Sequence, residues 1–391
     1  MTTRGRLTFV DIARGIGALA VVYTHVQAVW LREADPALSS VSKTVSAGVL
    51  DPLYLGQDGL GRIAVVIFFL TSGYVVTPIA LRLGGPRFGV NRVFRVYPLL
   101  IASVLLAGAC VALGIKVLSV AGPGQVSPGS LLSNCLLLNF VFDPQSTLLG
   151  VAWTLAVEII FYSMIIMVLP LLRRTAWLAV AVELAVVATA VSLHALLTGY
   201  LSEFATSTSV LVFPIIGQAV WAAQRRMIPL PVTGSSVLVG WLLFAWAAST
   251  GIKGLANGYE IAAAIAVLLF LIGLVAEPRL RPRAVWTFLS DRCYSLYLLH
   301  GVVTIGVLES TSPGIGMSAA LLLALLATAL VVEIMHRCVE RPSHELGRRL
   351  SRARRGATPV PGSARAPAVP GAGAEESSPA MAGSLFRPSQ R

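Results

Sequence analysis

Charged residues are scarce in this chain. Only 12% of its 391 residues are Asp, Glu, Lys or Arg, whereas 56% are hydrophobic, and the mean hydropathy is +0.79. Soluble domains carry about 25% charged residues, which they use to cover an apolar core with a wetted surface. The shortage excludes a soluble globular enzyme, because most of this chain must face lipid or other helices.

Cysteine and acidic residues are also few. The four cysteines show no CxxC spacing, so the sequence indicates neither a disulfide framework nor a zinc site. With 18 acidic against 30 basic residues, the net charge is +12, a value that nucleic-acid-binding proteins often reach. Here, however, the basic residues stand in short clusters between long apolar runs, as the positive-inside rule requires of membrane proteins. We therefore predict a lipid bilayer as partner and no nucleic acid.

The long apolar runs predict an all-α polytopic membrane protein with about ten transmembrane helices, each of about 20 residues. A shorter apolar segment, 131–142, is more typical of a re-entrant or interfacial segment than of a span. The ten predicted spans are residues 8–30, 60–82, 93–115, 151–172, 176–197, 208–224, 235–251, 259–276, 286–308 and 317–339.

The distribution of basic residues predicts that both termini are cytoplasmic. If segment 131–142 does not span, nearly all of the arginines lie on or next to one face, together with the basic C-terminal tail. The first span carries ionisable residues and is predicted to be an uncleaved anchor. The basic residues that fall toward the other side are Arg32, Lys43, Arg62, Lys116 and Lys253.

Two parts of the chain differ in composition. Residues 1–345 are predicted to form the membrane domain. Residues 346–391 are predicted to form a disordered basic cytoplasmic tail, because Arg, Pro, Ala, Gly and Ser dominate it and large apolar residues are almost missing.

The first span contains ionisable residues that need a partner or a role within a bilayer. Asp11 is one turn before Arg14 and can pair with it. Arg14 and His25 are eleven residues apart, so they project from one face about 16 Å apart along the axis. A plainer interpretation is an interfacial ion pair and a histidine that bonds within the bundle.

The fourth span carries Glu158 at a depth similar to that of His25. A carboxylate beside an imidazole would orient the ring and stabilise its protonated form, which suits a general base acting on a hydroxyl. We therefore predict that Glu158 and His25 lie together. The alternative is a structural ion pair between packed helices.

Further polar residues are candidates for ligand contact. Arg92 and Arg95 are at i and i+3 and could clamp a phosphate-rich ligand, or could simply anchor the helix at the interface. Ser72, Tyr297 and His300 could line an internal cavity, or could form bonds between helices. The spacing of Glu333 and His336 suits a di-iron bundle, but the second motif that such a site needs is missing, so we predict no metal.

These motifs together resemble acyltransferase family 3, a family of integral membrane acyltransferases. The resemblance covers roughly residues 5–345. It rests on FVDIARGIGALAVVYTHV (9–26) with Arg14 and His25, FFLTSGYV (68–75), Arg92 and Arg95, WTLAVEIIFY (153–162) with Glu158, and YSLYLLH (294–300).

The resemblance implies transfer of an acyl group, usually acetyl from acetyl-CoA, to a hydroxyl of a glycan or other acceptor at the inner membrane. Carried over by motif, His25 would be the base or acyl relay, Glu158 its polar partner and Arg14 a charged cavity residue. Arg92 and Arg95 would contact the CoA phosphates. Whether the acyl group passes directly or through a covalent intermediate stays open.

Other functions fit parts of the same pattern. The acceptor could be a small molecule such as a macrolide. A proton-coupled transporter could use Arg14, His25 and Glu158 as a relay, although no internal repeat supports that architecture. A non-catalytic membrane scaffold would have little reason to place a histidine and a carboxylate at matching depth.

Overall fold

The computed structural model describes residues 6–32, 36–193, 207–250, 255 and 258–352, and those residues form helices and connecting turns with no β-strand. Two π-helical turns, Ser46–Leu50 and His336–Glu340, extend α2 and join α13 to α14. The helices are α1 (Thr8–Arg32), α2 (Pro36–Val45), α3 (Gly59–Leu83), α4 (Gly85–Ala112), α5 (Pro128–Cys135), α6 (Asn139–Phe142), α7 (Trp153–Arg174), α8 (Ala176–Leu193), α9 (Val212–Gln224), α10 (Leu230–Ser249), α11 (Tyr259–Ala276), α12 (Ala284–Ile315), α13 (Met317–Met335) and α14 (Arg341–Arg352).

The all-α polytopic architecture is confirmed. Within the described part of the chain, nine helices are long and apolar enough to cross a membrane. The predicted span 208–224 corresponds to α9, a helix of 13 residues that is buried over nearly its whole length. Segment 131–142 forms no continuous helix, because it divides between the short helices α5 and α6.

The predicted boundary of the membrane domain falls inside a helix. Helix α14 continues past residue 345 and ends at Arg352, with Gly347 and Ser351 buried. Because α14 packs along α4, residues 346–352 belong to the folded part of the chain. The predicted disordered tail, from residue 353 onward, lies outside the described residues.

Helix α1 packs against both α3 and α12. Two glycines of α1 allow this close approach, because Gly15 faces the side chain of Leu289 on α12 and Gly17 faces Phe68 on α3. At the start of α1, the backbone N–H groups of Thr8 and Phe9 donate to the carboxylate of Glu277, at 2.8 and 2.7 Å. This acid satisfies free N–H groups at the helix N-terminus, where negative charge is favourable.

Helices α3 and α9 cross at close range through glycines. A Cβ atom at Gly217 of α9 would overlap the carbonyl oxygen of Leu70 on α3, and one at Gly73 of α3 would overlap that of Pro214 on α9. Small residues allow helix backbones to approach in membranes, where packing rather than the hydrophobic effect drives helix association. This crossing fixes α3, which carries Ser72 next to Gly73.

We expect Gly217→Ala to destabilise the protein by about 1–3 kcal/mol, because the added methyl group meets backbone rather than a side chain that can move. The matched control is Gly234→Ala on α10, where a Cβ meets open space and alanine is the better helix former. Thermal unfolding in detergent should show a lower midpoint for Gly217→Ala, whereas the midpoint of Gly234→Ala should not fall. Equal shifts for the two variants would contradict this packing.

Candidate active site

Three cavities in the described part of the chain are lined by the candidate residues. The basic pocket has a volume of about 890 Å³, the inner cavity about 110 Å³ and the outer pocket about 490 Å³. Arg14 and Arg95 line both the basic pocket and the inner cavity. His25 lines the outer pocket.

The inner cavity has a polar wall made by α3, α7 and α12. Ser72 Oγ donates to Glu158 Oε1 at 3.1 Å, and the hydroxyl of Tyr162 donates to the same oxygen. The hydroxyls of Thr154 and Tyr297 lie 3.0 Å apart. Ser72 and Tyr297 both line the inner cavity, and their contact with a substrate stays a prediction.

The structure does not bring Glu158 and His25 together, so the prediction of this pair is wrong. Glu158 lines the inner cavity, whereas His25 lines the outer pocket. Helix α3 contacts both α1 and α7, and its Ser72 bonds to the carboxylate. The two residues were predicted to lie at a similar depth, but depth along two helices does not determine which helices are neighbours.

The ring beside His25 belongs to His300, with 5.2 Å between the ring centroids. His300 is fully buried and lines none of the three cavities. It approaches the inner cavity through Tyr297, whose ring centroid is 6.1 Å from its own. His25 Nδ1 and His300 Nε2 are buried and bond to no described residue. Three rings therefore lie between the outer pocket and the inner cavity.

The predicted pairing of Asp11 with Arg14 is also wrong. Asp11 Oδ2 pairs with Arg6 Nε at 2.6 Å, and Arg6 Nη1 also bonds Asp291 Oδ1 at 2.8 Å. Because Arg6 neutralises Asp11, the guanidinium of Arg14 is left facing the two cavities. It forms no side-chain hydrogen bond with the part of the chain that the structure describes.

Arg92 and Arg95, predicted to clamp one ligand together, lie in different surroundings in the structure. Arg95 lines the basic pocket and the inner cavity, whereas Arg92 lines neither. The Arg92 guanidinium lies 5.6 Å from the ring centroids of Phe88 and Tyr162 and bonds Asn91 Oδ1 at 2.6 Å. Residues at i and i+3 differ by about 60° in direction and 4.5 Å in height, which is enough to place them in different surroundings.

The basic pocket carries excess positive charge. Arg6 is neutralised by Asp11 and Asp291, and Glu345 lies 3.3 and 4.0 Å from Arg341 and Arg348. Three of its arginines, namely Arg14, Arg82 and Arg95, form no ion pair with a described residue. The charged lining residues are Arg6, Arg14, Arg82, Arg95, Arg341, Arg348, Asp11, Asp291, Glu340 and Glu345.

Sequence reasoning missed part of this pocket. It treated Arg6 and Arg341 as topology signals and placed Arg348 in a disordered tail. The spacing of Arg341, His344, Glu345 and Arg348 is that of one helical face, which could have indicated a helix continuing beyond the last span. That signal was hidden because the segment is strongly polar.

The outer pocket lies at the other end of α1. It is lined by His25 together with Lys116, in the loop after α4, and Glu309 of α12. Lys116 Nζ lies 3.8 Å from Glu309 Oε2. The loop is attached to α12 by a hydrogen bond from the Leu118 N–H to the Gly301 carbonyl, at 2.9 Å. His25 is therefore open to a ligand from a side different from that of Arg95.

A family model described as an acyltransferase domain matches residues 7–336. The chain belongs to acyltransferase family 3. The match covers most of the chain and includes every site residue proposed from the sequence, so the resemblance is confirmed and the protein is a multi-pass membrane acyltransferase. Comparison with curated proteins and with solved structures finds no match in either set.

The match to acyltransferase family 3 ends at residue 336. It therefore leaves out Glu340 and all of α14, although Glu340 and four residues of α14 line the basic pocket. The pocket of this acyltransferase is built partly from the family domain and partly from a helix that the family model does not describe.

Proposed function

We propose that this membrane acyltransferase moves an acetyl group from acetyl-CoA to a hydroxyl of a cell-surface or exported glycan. The observation that carries the proposal is the basic pocket, where Arg14, Arg82 and Arg95 form no ion pair with a described residue. CoA carries a diphosphate and a 3′-phosphate, and guanidinium groups bind phosphate through strong charge-assisted hydrogen bonds.

The proposed sidedness follows from the positive-inside rule. The basic pocket includes Arg6 before α1, Arg82 at the end of α3 and Arg348 in α14, so we place this end at the cytoplasmic face of the inner membrane, where acetyl-CoA is made. The outer pocket with His25 then faces the other side. A glycan built outside the membrane would reach His25 from there.

In the proposed reaction, the thioester lies in the inner cavity, beyond Arg14 and Arg95. An imidazole nitrogen of His25 takes the proton of the acceptor hydroxyl. The acceptor oxygen forms a bond to the carbonyl carbon, and the bond from that carbon to sulfur breaks. The CoA thiolate leaves and receives the proton that His25 took from the hydroxyl, which returns the imidazole to its neutral form. The rings of Tyr297, His300 and His25 lie between the two reactants, so they must rearrange to let the acetyl group meet the acceptor.

The proposal can be tested by comparing acetyl-CoA with acetyl-pantetheine, which carries the same thioester without the nucleotide and its phosphates. For purified protein in nanodiscs, we expect the KM for acetyl-pantetheine to exceed that for acetyl-CoA by about 100-fold, equivalent to ~2.7 kcal/mol of binding. The measurement is thiol release, with radiolabel retained on the protein followed separately.

The outcomes separate the alternatives. Equal KM values would contradict nucleotide recognition by the basic pocket. Label retained on the protein would show a covalent relay instead of direct transfer. If folded protein does not consume acetyl-CoA at all, the proposed donor is wrong, and this membrane acyltransferase takes its acyl group from another donor.

A further inference from the structure

Helix α14 lies outside the residues matched by the family model, yet it borders the basic pocket. Four of its side chains line that pocket: Arg341, His344, Glu345 and Arg348. The helix packs along α4. What α14 contributes to the pocket therefore depends on its contacts with Arg95, the residue of α4 that lines the pocket.

His344 bonds to Arg95 in two places. Its Nδ1 lies 3.2 Å from Arg95 Nη1, and its Nε2 lies 3.2 Å from the backbone carbonyl oxygen of Arg95. A guanidinium can only donate and a carbonyl can only accept, so Nδ1 accepts and Nε2–H donates. The neutral imidazole thus binds both the backbone and the side chain of Arg95.

The position of His344 is fixed by the packing of α14. Gly347, one turn later, lies against Phe94, because a Cβ atom there would overlap the Phe94 side chain. Just before α14, Glu340 is buried and accepts from Ser295 Oγ at 2.6 Å. Its same carboxylate oxygen lies 3.0 Å from His336 Nδ1. His344 is therefore held between two anchored points.

The location of Arg95 makes a fixed guanidinium useful for binding a ligand. It lines both the basic pocket and the inner cavity, the place where a donor would pass from its nucleotide to its thioester. A free arginine side chain loses about 2 kcal/mol of rotamer entropy when a ligand immobilises it. A partner that holds the guanidinium beforehand reduces that loss on binding.

We propose that His344 is a positioning residue that holds the Arg95 guanidinium ready for a phosphate group of the acyl donor, and that α14 is thereby part of the donor site. The inference rests on the proposed function, since it takes acyl-CoA as the donor. His344 acts through Arg95 and needs no contact with the donor.

The test is a double-mutant cycle on the equilibrium Kd for CoA, measured with the full-length protein in nanodiscs. We expect His344→Ala to raise Kd about tenfold. His344→Gln, which keeps an acceptor and an N–H donor, should restore most of the affinity. The double variant Arg95→Ala/His344→Ala should bind no more weakly than Arg95→Ala alone, because His344 acts only through Arg95. Arg349→Ala, on an exposed position of α14 outside the pocket, should leave Kd unchanged.

Other results would overturn the inference. An unchanged Kd for His344→Ala would show that Arg95 needs no support. A tenfold loss that persists in the Arg95→Ala background would show that His344 acts by another route, and failure of His344→Gln to restore binding would argue for a general packing role. If the unmodified protein binds no CoA, the proposed function itself fails, and this inference fails with it.

Discussion

His25→Ala should greatly slow acetyl transfer while leaving CoA binding intact. The imidazole lines the outer pocket and not the basic pocket. The rings of His300 and Tyr297 stand between it and the inner cavity. A general base contributes typically 10²–10⁴-fold to rate, so we expect a loss of about that size in kcat. The measurement is acetyl-CoA turnover beside the Kd for CoA, both with protein in nanodiscs.

Intact CoA binding serves as the folding control for this variant. Loss of binding together with turnover would indicate that His25 supports the fold or the donor site instead of the acceptor. Turnover close to that of the unmodified protein would remove His25 from the reaction. In that case the unpaired nitrogen of His300 would be the next candidate base.

Arg95→Ala should produce the opposite pattern, weak donor binding with the acceptor side unaltered. Loss of a charge-assisted hydrogen bond costs about 1.5–3 kcal/mol, so the Kd for CoA should rise roughly 10- to 150-fold. Arg95→Lys should recover part of the loss, because lysine keeps the charge without the planar fork. The same nanodisc binding measurement reports the change.

Two comparison variants sharpen the test of Arg95. Arg174→Ala removes an exposed arginine outside the basic pocket and should leave the Kd unchanged. Arg92→Ala removes the arginine beside Phe88 and Tyr162, so it should lower stability more than donor affinity. If Arg92→Ala weakened CoA binding more than Arg95→Ala does, the assignment of Arg95 as the donor contact would be wrong.

The sequence was most informative about what lies along each helix. Hydropathy predicted the nine long apolar helices that the described part of the chain contains, together with a tenth span, 208–224, where the helix has only 13 residues. The shortness of segment 131–142 predicted that it does not cross. Motif order predicted the family, which the match over residues 7–336 confirms. These features are local to single segments, so neighbouring helices do not alter them.

The sequence was least informative about which side chains meet across helices. Asp11 is one turn from Arg14 but pairs with Arg6. The Arg6 guanidinium lies between Asp11 and Asp291 of α12 and pairs with both carboxylates. Glu158 bonds to Ser72 of α3 instead of His25. Such partners depend on helix order in the bundle and on the rotation of each helix, and spacing within one segment specifies neither.

The contribution of α14 could not be predicted for a different reason. Its polar composition resembles that of a disordered tail. The face of the helix that carries His344 and Gly347 finds its partners, Arg95 and Phe94, only once α14 packs on α4. A polar helix of twelve residues is marginal by itself in water. Its folding depends on tertiary contacts that no local pattern reveals.

In the proposed function, acetyl-CoA enters from the end of the molecule that carries the arginines. The most direct test uses proteoliposomes in which the protein has one known orientation, with acetyl-CoA supplied on one side only and thiol release followed. We predict turnover only when acetyl-CoA is on the side of Arg82 and α14. Turnover that requires acetyl-CoA on the side of the outer pocket would contradict the account.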